Sequence, residues 1–193
     1  MFEPLINYIQ RHSAIPLSDD DIHLIRSIFV PKKIRKRQYF LQEGEVCKYA
    51  GFITKGAMKQ YSVDEKGVEH VVGLYLEDWW ATDRESFTML TPSSFNIDAL
   101  EDTELLVISK VQTMELTKIP AYNDMVRTLD ERHASSNLKR INAFISHTAE
   151  QRCTDFLVSY PNFSQRFPQH LIASFLGITK ETLSRIRAQL ARR

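Results

Sequence analysis

The sequence predicts an α+β protein with helices at the N-terminus, then a β-barrel or β-roll, a long helix and a helical C-terminal region. Two changes of residue pattern predict this order. Residues 34–108 form short segments rich in Val, Ile, Tyr and Phe, separated by Gly-containing turns, whereas apolar residues at helical spacing precede and follow them. The 193 residues, 43% of them apolar, suffice for one large domain or two compact units.

The first thirty residues predict two helices. Leu5, Ile6 and Ile9 recur on one helical face, and Ser18 is suited to cap a second helix. Three aspartates follow Ser18, and negative charge in a first turn favours the positive end of the helix dipole. We expect Pro31 to end the second helix.

Short strands are predicted next. Residues 58–63, a turn at Gly67 and residues 68–76 predict a β-hairpin. Residues 104–109, which include Leu-Leu-Val-Ile, predict the strand that closes this region. Several short strands at this spacing indicate a barrel or a roll.

A helix of about 25 residues is predicted over residues 120–145, which contain no internal Gly or Pro. At 1.5 Å per residue it is about 40 Å long. Polar residues His133 and Ser136 interrupt its apolar pattern and are a candidate weak point of a dimer seam. We expect two copies of the chain to associate through this helix, although contact with the β-region alone would give a similar stripe. The next helix is predicted to begin at Thr148, with Gln151 completing a capping box.

Composition argues against membrane, metal and enzyme classes. No apolar run exceeds about six residues, and the N-terminus lacks the pattern of a signal peptide, so we expect a cytoplasmic protein without a membrane partner. Cys47 and Cys153 are far apart in the sequence and form no zinc or iron-sulfur pattern, and each is expected to be a small buried hydrophobe rather than a redox sensor. Glu69 and His70 are too few groups for catalysis. We therefore expect no cofactor and no enzymatic activity.

The charge of the chain is divided unequally. Residues 132–193 carry 10 basic and 3 acidic side chains, a net charge of +7, whereas residues 1–131 carry 15 basic and 21 acidic, a net charge of −6. Because phosphate neutralisation dominates affinity for nucleic acids, this asymmetry predicts that the C-terminal region approaches a polyanion. A solvated basic face is the alternative.

Residues 169–187 predict a helix-turn-helix. Such a motif needs a small residue where its helices cross, which Ala173 provides, and a residue that tolerates positive φ in the turn, which Gly177 provides. Apolar residues at the inner positions, with Leu190 beyond them, predict the packing of the two helices. The predicted core of the motif consists of Ile172, Ala173, Leu176, Gly177, Ile178, Leu183 and Ile186.

The outer face of the second helix of this motif predicts base recognition. Lys180, Glu181 and Arg185 have long side chains that reach base edges in the major groove, where Arg pairs with guanine and Glu with cytosine. Neighbouring polar residues are suited to hold phosphates, and Thr179 to cap the helix. The candidate DNA-binding residues are Gln169, Thr179, Lys180, Glu181, Thr182, Ser184, Arg185 and Arg187. An ordinary helical hairpin with a polar outer face is the alternative.

The run from Leu176 to Arg187, preceded by a β-rich region and a long helix, resembles the Crp/Fnr family of bacterial transcription regulators. Residues 40–45, 51–56 and 99–106 resemble strands and Gly turns of the same family, so the resemblance covers nearly the whole chain. It implies a double-stranded β-roll of the cyclic-nucleotide-binding type, a dimerisation helix and a winged helix-turn-helix that recruits or blocks RNA polymerase.

The resemblance also implies a division of the chain and a set of partners. Residues 1–118 would form the β-roll sensor with the N-terminal helices, residues 119–146 the linker and dimerisation helix, and residues 147–193 the DNA-binding domain. The implied partners are double-stranded DNA with a pseudo-palindromic operator, a second copy of the chain, RNA polymerase, and a small-molecule effector of unknown identity.

The chain departs from the family where cyclic nucleotides are bound. Family members that bind them carry Gly-Glu, and about ten residues later an Arg that pairs with the cyclic phosphate; here Ala81 and Thr82 align with Gly-Glu, and Ser93 aligns with the Arg. We therefore expect weak or no cyclic-nucleotide binding. Arg84, flanked by Asp83 and Glu85, is expected to form an intramolecular pair.

Another effector could bind near the same stretch. Adjacent residues of a strand point to opposite faces, so one of Trp79 and Trp80 is expected in the core and the other at the surface. The candidate effector pocket consists of Trp79, Trp80, Thr82, Arg84, Ser93 and Ser94.

The second departure is at the C-terminus. The sequence ends three residues after Leu190, so we expect a truncated wing. A short strand at residues 163–167 would supply one side of it, and residues 191–193 would at most add phosphate contacts.

Two other classes of function compete with a DNA-binding regulator. A ligand-binding β-roll module would use its helical C-terminal region to bind a protein, and Arg185→Ala would then leave partner affinity unchanged. An enzyme on a cupin-like roll would need more histidines and carboxylates than Glu69 and His70 supply.

Overall fold

The computed structural model describes residues 1–190 and has the expected α+β fold. Its first helices are α1 (Glu3–His12) and α2 (Asp19–Ile28). Ser18 caps α2: its hydroxyl accepts a hydrogen bond from the Asp21 amide at 3.2 Å, and the Asp21 carboxylate accepts one from the Ser18 amide at 3.0 Å. As expected, α2 ends before Pro31. Val30, held extended as the residue before a proline, begins the first strand.

Eight strands build a β-roll. They are β1 (Val30–Ile34), β2 (Tyr39–Leu41), β3 (Tyr49–Lys55), β4 (Met58–Val63), β5 (Glu69–Tyr75), β6 (Trp80–Ala81), β7 (Asn96–Ala99) and β8 (Thr103–Ser109). The first sheet has the strand order β1-β8-β3-β6 and the second has β2-β7-β4-β5. The expected β4–β5 hairpin and the closing strand β8 are both present. Short helices follow β6 and β8, namely α3 (Arg84–Met89) and α4 (Thr113–Leu116).

The strands β3 and β8 of the first sheet are buried on both faces. Because successive residues of a strand point to opposite sides, Leu105 of β8 joins Met58 and other apolar side chains inside the roll. Its neighbour Leu106 instead joins Phe52 in a second cluster, which also contains residues of α1 and α2. Two apolar layers therefore share the strands of this sheet.

The chain divides into two compact units, and the long helix α5 (Pro120–Ser146) contributes residues to both. One unit contains residues 1–62 and 73–132, and the other contains residues 63–72 and 133–193. In its first turns α5 buries Ala121 and Met125 in the second apolar cluster of the first unit. No helix in the described part of the chain is long and apolar enough to cross a membrane.

The second unit continues with four helices, α6 (Ala149–Ser159), α7 (Phe163–Arg166), α8 (Gln169–Phe175) and α9 (Lys180–Leu190). The expected capping box of α6 is present, because the Thr148 hydroxyl accepts from the Gln151 amide at 3.2 Å and the Gln151 side chain accepts from the Thr148 amide at 2.8 Å. The expected strand at residues 163–167 was wrong. This segment is a helical turn, which places the rings of Phe163 and Phe167 5.1 Å apart in the buried core.

Candidate nucleic-acid interface

A tight turn joins α8 to α9. The amide of Ile178 donates to the carbonyl of Ala173, and the amide of Gly177 donates to the carbonyl of Ser174, both at 3.0 Å. This pairing is a Schellman motif, which uses the left-handed conformation that Gly177 adopts at φ +64°. A Cβ atom at Gly177 would also lie 2.7 Å from Cε1 of Phe144. The turn therefore requires glycine both for its backbone conformation and for this close approach.

Behind the turn, α8 and α9 bury their facing sides. Of the residues named for this core, Ile172, Ala173, Leu176, Leu183 and Ile186 are buried, Ile178 is half-buried and Gly177 is exposed. Leu190 is half-buried. Leu171 was not named for the core but is buried too; its only signal was its apolar side chain beside Ile172. The two helices are thus held together by a continuous apolar contact.

The outward side of α9 presents charged side chains that bind nothing else in the described chain. Lys180, Glu181 and Arg185 are exposed, and within residues 1–190 none of the three forms an ion pair or a side-chain hydrogen bond. Glu181 and Arg185 are one helical turn apart and still do not pair. With Gln169, Ser184 and Ala188 these side chains border one shallow depression, so two cations and one carboxylate are presented together.

The two threonines among the candidate DNA-binding residues make contacts inside the second unit. The Thr179 hydroxyl accepts from the Thr182 amide at 3.2 Å and lies 3.1 Å from the Thr182 hydroxyl, so both threonines take part in capping α9. Arg187 is half-buried. Burial raises the pKa of the Cys153 thiol, and the nearby positive charge of Arg187 partly opposes this rise. The predicted contacts of residues 191–193 lie outside the described residues.

The second half of α5 carries an exposed apolar stripe. Leu138, Ile141 and Ile145 are 69%, 56% and 81% exposed. At about 100° per residue, these three side chains lie within about 60° of one another around the helix. His133 and Ser136 are about 80° and 140° away from Ile141, so they do not interrupt this stripe.

Both tryptophans are half-buried, so the expectation that one lies in the core and the other at the surface was wrong. The Trp80 ring lies 5.3 Å from the Phe52 ring and 6.1 Å from the Phe29 ring, against the cluster formed with α1 and α2. The Trp79 ring lies 6.4 Å from the Tyr75 ring. Each indole therefore contacts a separate set of aromatic side chains.

A buried carboxylate lies in the stretch that aligns with the phosphate anchors of the family. The Asp83 carboxylate accepts from the amides of Glu85 at 3.1 Å and Ser86 at 3.3 Å, and from the Ser93 hydroxyl at 2.6 Å. Asp83 is 6% exposed and Ser93 is 4% exposed. Asp83 was not among the candidate residues; its signal was its place directly before a short helix, where Asp is a favoured cap. The Asp83 carboxylate is thus buried against the Ser93 hydroxyl.

Arg84 forms the expected intramolecular pair with a different partner. Its guanidinium lies 2.7 Å from the Asp130 carboxylate of α5, and the expectation of a flanking acid was wrong because Asp83 already caps α3. Thr82 is half-buried, with its hydroxyl 3.6 Å from the Cys47 sulfur, and Ser94 is exposed.

The amino-acid sequence is similar to those of known proteins. The family model of the cyclic nucleotide-binding domain matches residues 31–119. Electron transport regulator A of Shewanella oneidensis is 27% identical over 169 residues, which cover 80% of this chain and 66% of that protein, just under two thirds of its length.

Solved structures share the fold. FixK2 of Bradyrhizobium japonicum matches with a TM-score of 0.68 at 18% identity, over 86% of this chain and 85% of that one. A protein assigned to the Crp/Fnr family of transcriptional regulators from Eubacterium rectale matches with a TM-score of 0.63 at 16% identity, over 91% and 84%. The resemblance found in the sequence is confirmed in its fold: residues 31–119 match the model of the cyclic nucleotide-binding domain, and the chain shares its fold with solved structures of Crp/Fnr regulators.

Proposed function

We propose that this chain, with its cyclic nucleotide-binding domain and Crp/Fnr fold, is a dimeric, sequence-specific DNA-binding transcription regulator and not an enzyme. The observation that carries the proposal is the exposed face of α9. A capped helix holds Lys180, Glu181 and Arg185 outward and without partners within residues 1–190, while its opposite side is anchored on α8. An exposed row of unpaired long polar side chains on a rigid helix suits recognition of base edges.

DNA recognition would follow from this face. A helix of 11 residues fits the major groove, with Arg185 and Lys180 donating to guanine and Glu181 accepting from cytosine. Gln169 and Ser184 border the same depression and would hold phosphates, and Thr179 would join them at the helix N-terminus. Arg187 of α9 is half-buried, and a phosphate contact would need its guanidinium to extend away from the helix into solvent. The net charge of +7 over residues 132–193 supports an approach to DNA.

The dimer would form through the apolar stripe of α5. Leu138, Ile141 and Ile145 expose most of their side chains, and burying one such side chain contributes about 1.5–3 kcal/mol. A second copy of the chain would present the same stripe, which suits an isologous contact between two α5 helices. Two recognition helices would then read half-sites about 34 Å apart on a pseudo-palindromic operator.

The β-roll would not use a cyclic nucleotide in the usual way. A cyclic phosphate brought to the Ser93 position would meet the buried Asp83 carboxylate and no aligned cation. Two like charges 4 Å apart repel by about 4 kcal/mol at an effective dielectric constant of 20. A different small molecule would therefore act as effector, with RNA polymerase as a further partner at promoters.

The proposal is tested by fluorescence anisotropy on duplexes selected from a random pool, across a salt series and with or without cyclic AMP. We expect tight binding with a steep salt dependence and no effect of cyclic AMP. Arg185→Ala should weaken binding to the selected site about 5- to 150-fold, the effect of one lost bidentate base contact. Lys139→Ala removes one exposed charge of α5 and should weaken selected and random duplexes equally.

Three outcomes of these measurements would contradict parts of the proposal. If Arg185→Ala binds the selected duplex as tightly as the unsubstituted chain, α9 does not read bases. If no duplex binds under any condition, and Arg185→Ala and Lys139→Ala both still bind a protein partner, the helical region serves protein contacts. A response to cyclic AMP would contradict the role given to Asp83.

A further inference from the structure

The junction between α5 and the following helices is only two residues long. α5 ends at Ser146, and α6 begins at Ala149 after His147 and Thr148. The peptides at such a junction can rotate, so on their own they would leave the direction of α6 poorly determined relative to the last turns of α5.

Arg152, in the second turn of α6, bridges this junction. Its Nη1 donates to the carbonyl of His147 at 2.9 Å, and its Nε donates to the carbonyl of Leu176 at 3.2 Å. The guanidinium carbon lies 5.3 Å from the centre of the Phe144 ring. One side chain therefore connects the end of α5, the start of α6 and the end of α8.

The chemistry of this contact suits arginine. The carbonyls of His147 and Leu176 follow the C-terminal ends of α5 and α8, where helix dipoles leave partial negative charge. A planar guanidinium offers several donors in fixed directions and stacks on aromatic rings, whereas a lysine presents one mobile charge. The Phe144 ring in turn fills the space over Gly177, so the ring and the cation hold the same turn from α5 and from α6.

From these contacts we propose that Arg152 is a positioning residue, which holds the helix-turn-helix at a fixed angle to the last turns of α5. α9 is fixed to α8 by their shared core, so the tie at Leu176 extends to the recognition helix. This inference rests on the proposed function for its consequence: in a dimer joined through α5, the angle held by Arg152 determines which half-site spacing is bound.

The test compares Arg152→Met with Lys139→Met, which removes a positive charge from exposed α5 without touching the junction. Anisotropy is measured on the selected operator, on versions with one base pair inserted or deleted between half-sites, and on a single half-site. We expect the unsubstituted chain and Lys139→Met to prefer one spacing at least about tenfold. Arg152→Met should reduce this preference below about threefold and change half-site affinity less than about twofold. Arg152→Lys should fall between them.

A measurement without DNA separates this inference from the proposed function. Spin labels at Ser136 on α5 and Gln189 on α9, in mixtures with excess unlabelled chain, report the distance between these helices within one protomer by double electron–electron resonance. We expect a narrow distribution that Arg152→Met broadens. An unchanged distribution, or an unchanged spacing preference, would overturn the role of Arg152. Failure of all duplexes to bind, with the distribution broadened as expected, would refute only the proposed function.

Discussion

Gly177→Ala should destabilise the second unit far more than an alanine at an open glycine. Gly177 has φ +64°, and a Cβ there would lie 2.7 Å from Cε1 of Phe144. Gly67 also has positive φ, at +79°, but no heavy atom lies within 4 Å of the position of its Cβ. The two substitutions therefore share the backbone cost and differ in the clash.

The expected magnitude follows from these two contributions. A non-glycine residue in the left-handed region costs about 1–2 kcal/mol. Forcing a methyl group into a filled space adds about 1–3 kcal/mol. We expect about 2–5 kcal/mol for Gly177→Ala and about 1–2 kcal/mol for Gly67→Ala. Adding Phe144→Ala should relieve the clash, so that Gly177→Ala costs only the backbone contribution in that background.

Urea unfolding followed by circular dichroism measures these free energies, and thiol labelling identifies the unit affected. Cys153 and Cys47 are both buried, the first in the second unit and the second in the first. A loss of 3 kcal/mol should speed labelling of Cys153 by about 150-fold, at tenfold per 1.4 kcal/mol, and leave Cys47 unchanged. Equal costs at Gly177 and Gly67, or no relief by Phe144→Ala, would refute the argument from close contact.

Three further predictions concern caps and burial. Thr148→Ala removes the capping box of α6 and should cost about 1 kcal/mol in urea unfolding, whereas Ser164→Ala, at a half-buried serine outside this cap, should cost less than half as much. Asp83→Ala removes the hydrogen bonds that the carboxylate accepts from two backbone amides and from the Ser93 hydroxyl, and should lower the free energy of unfolding by about 2 kcal/mol. Tryptophan fluorescence, which reports the first unit, measures this loss, and an unchanged unfolding midpoint would contradict the buried cap. Burial raises the pKa of Tyr122 from 10.0 to about 12. The unfolded tyrosine ionises first as pH rises, so between pH 10 and 12 the chain should lose up to about 2–3 kcal/mol that Tyr122→Phe retains; parallel pH profiles of the two proteins would show that this tyrosine ionises normally.

Local rules were sufficient for several elements. The caps at Ser18 and Thr148 depend on residues three positions away, and both capping boxes form. Ala173 and Gly177 predicted the α8–α9 turn because a close crossing and a positive φ each restrict the residue types allowed. These features are decided within one turn of the chain, so the sequence contains all that is needed to predict them.

Other features depended on residues far away in the sequence. Arg84 pairs with Asp130, 46 positions along the chain, and no local pattern distinguished that acid from the flanking ones. His133 and Ser136 do not lie on the exposed apolar stripe of α5, and the first turns of the helix are covered by the second apolar cluster. Residues 163–167 form a helical turn in which the Phe163 ring lies 5.9 Å from the Phe156 ring and 5.1 Å from the Phe167 ring. The contact with Phe156 depends on α6, so the residues of the turn alone do not determine it.

By itself, the sequence determined the order of the helical and β-rich regions, the helix-turn-helix and the asymmetry of charge, since each depends on spacing between near neighbours or on composition. Only the tertiary structure decided that the Asp83 carboxylate accepts from the Ser93 hydroxyl, and that Arg152 joins the ends of α5 and α8. The contact between Asp83 and Ser93 spans ten residues, and the contact between Arg152 and Leu176 spans 24. Their formation depends on the whole fold bringing donor and acceptor within about 3 Å, which no local pattern encodes.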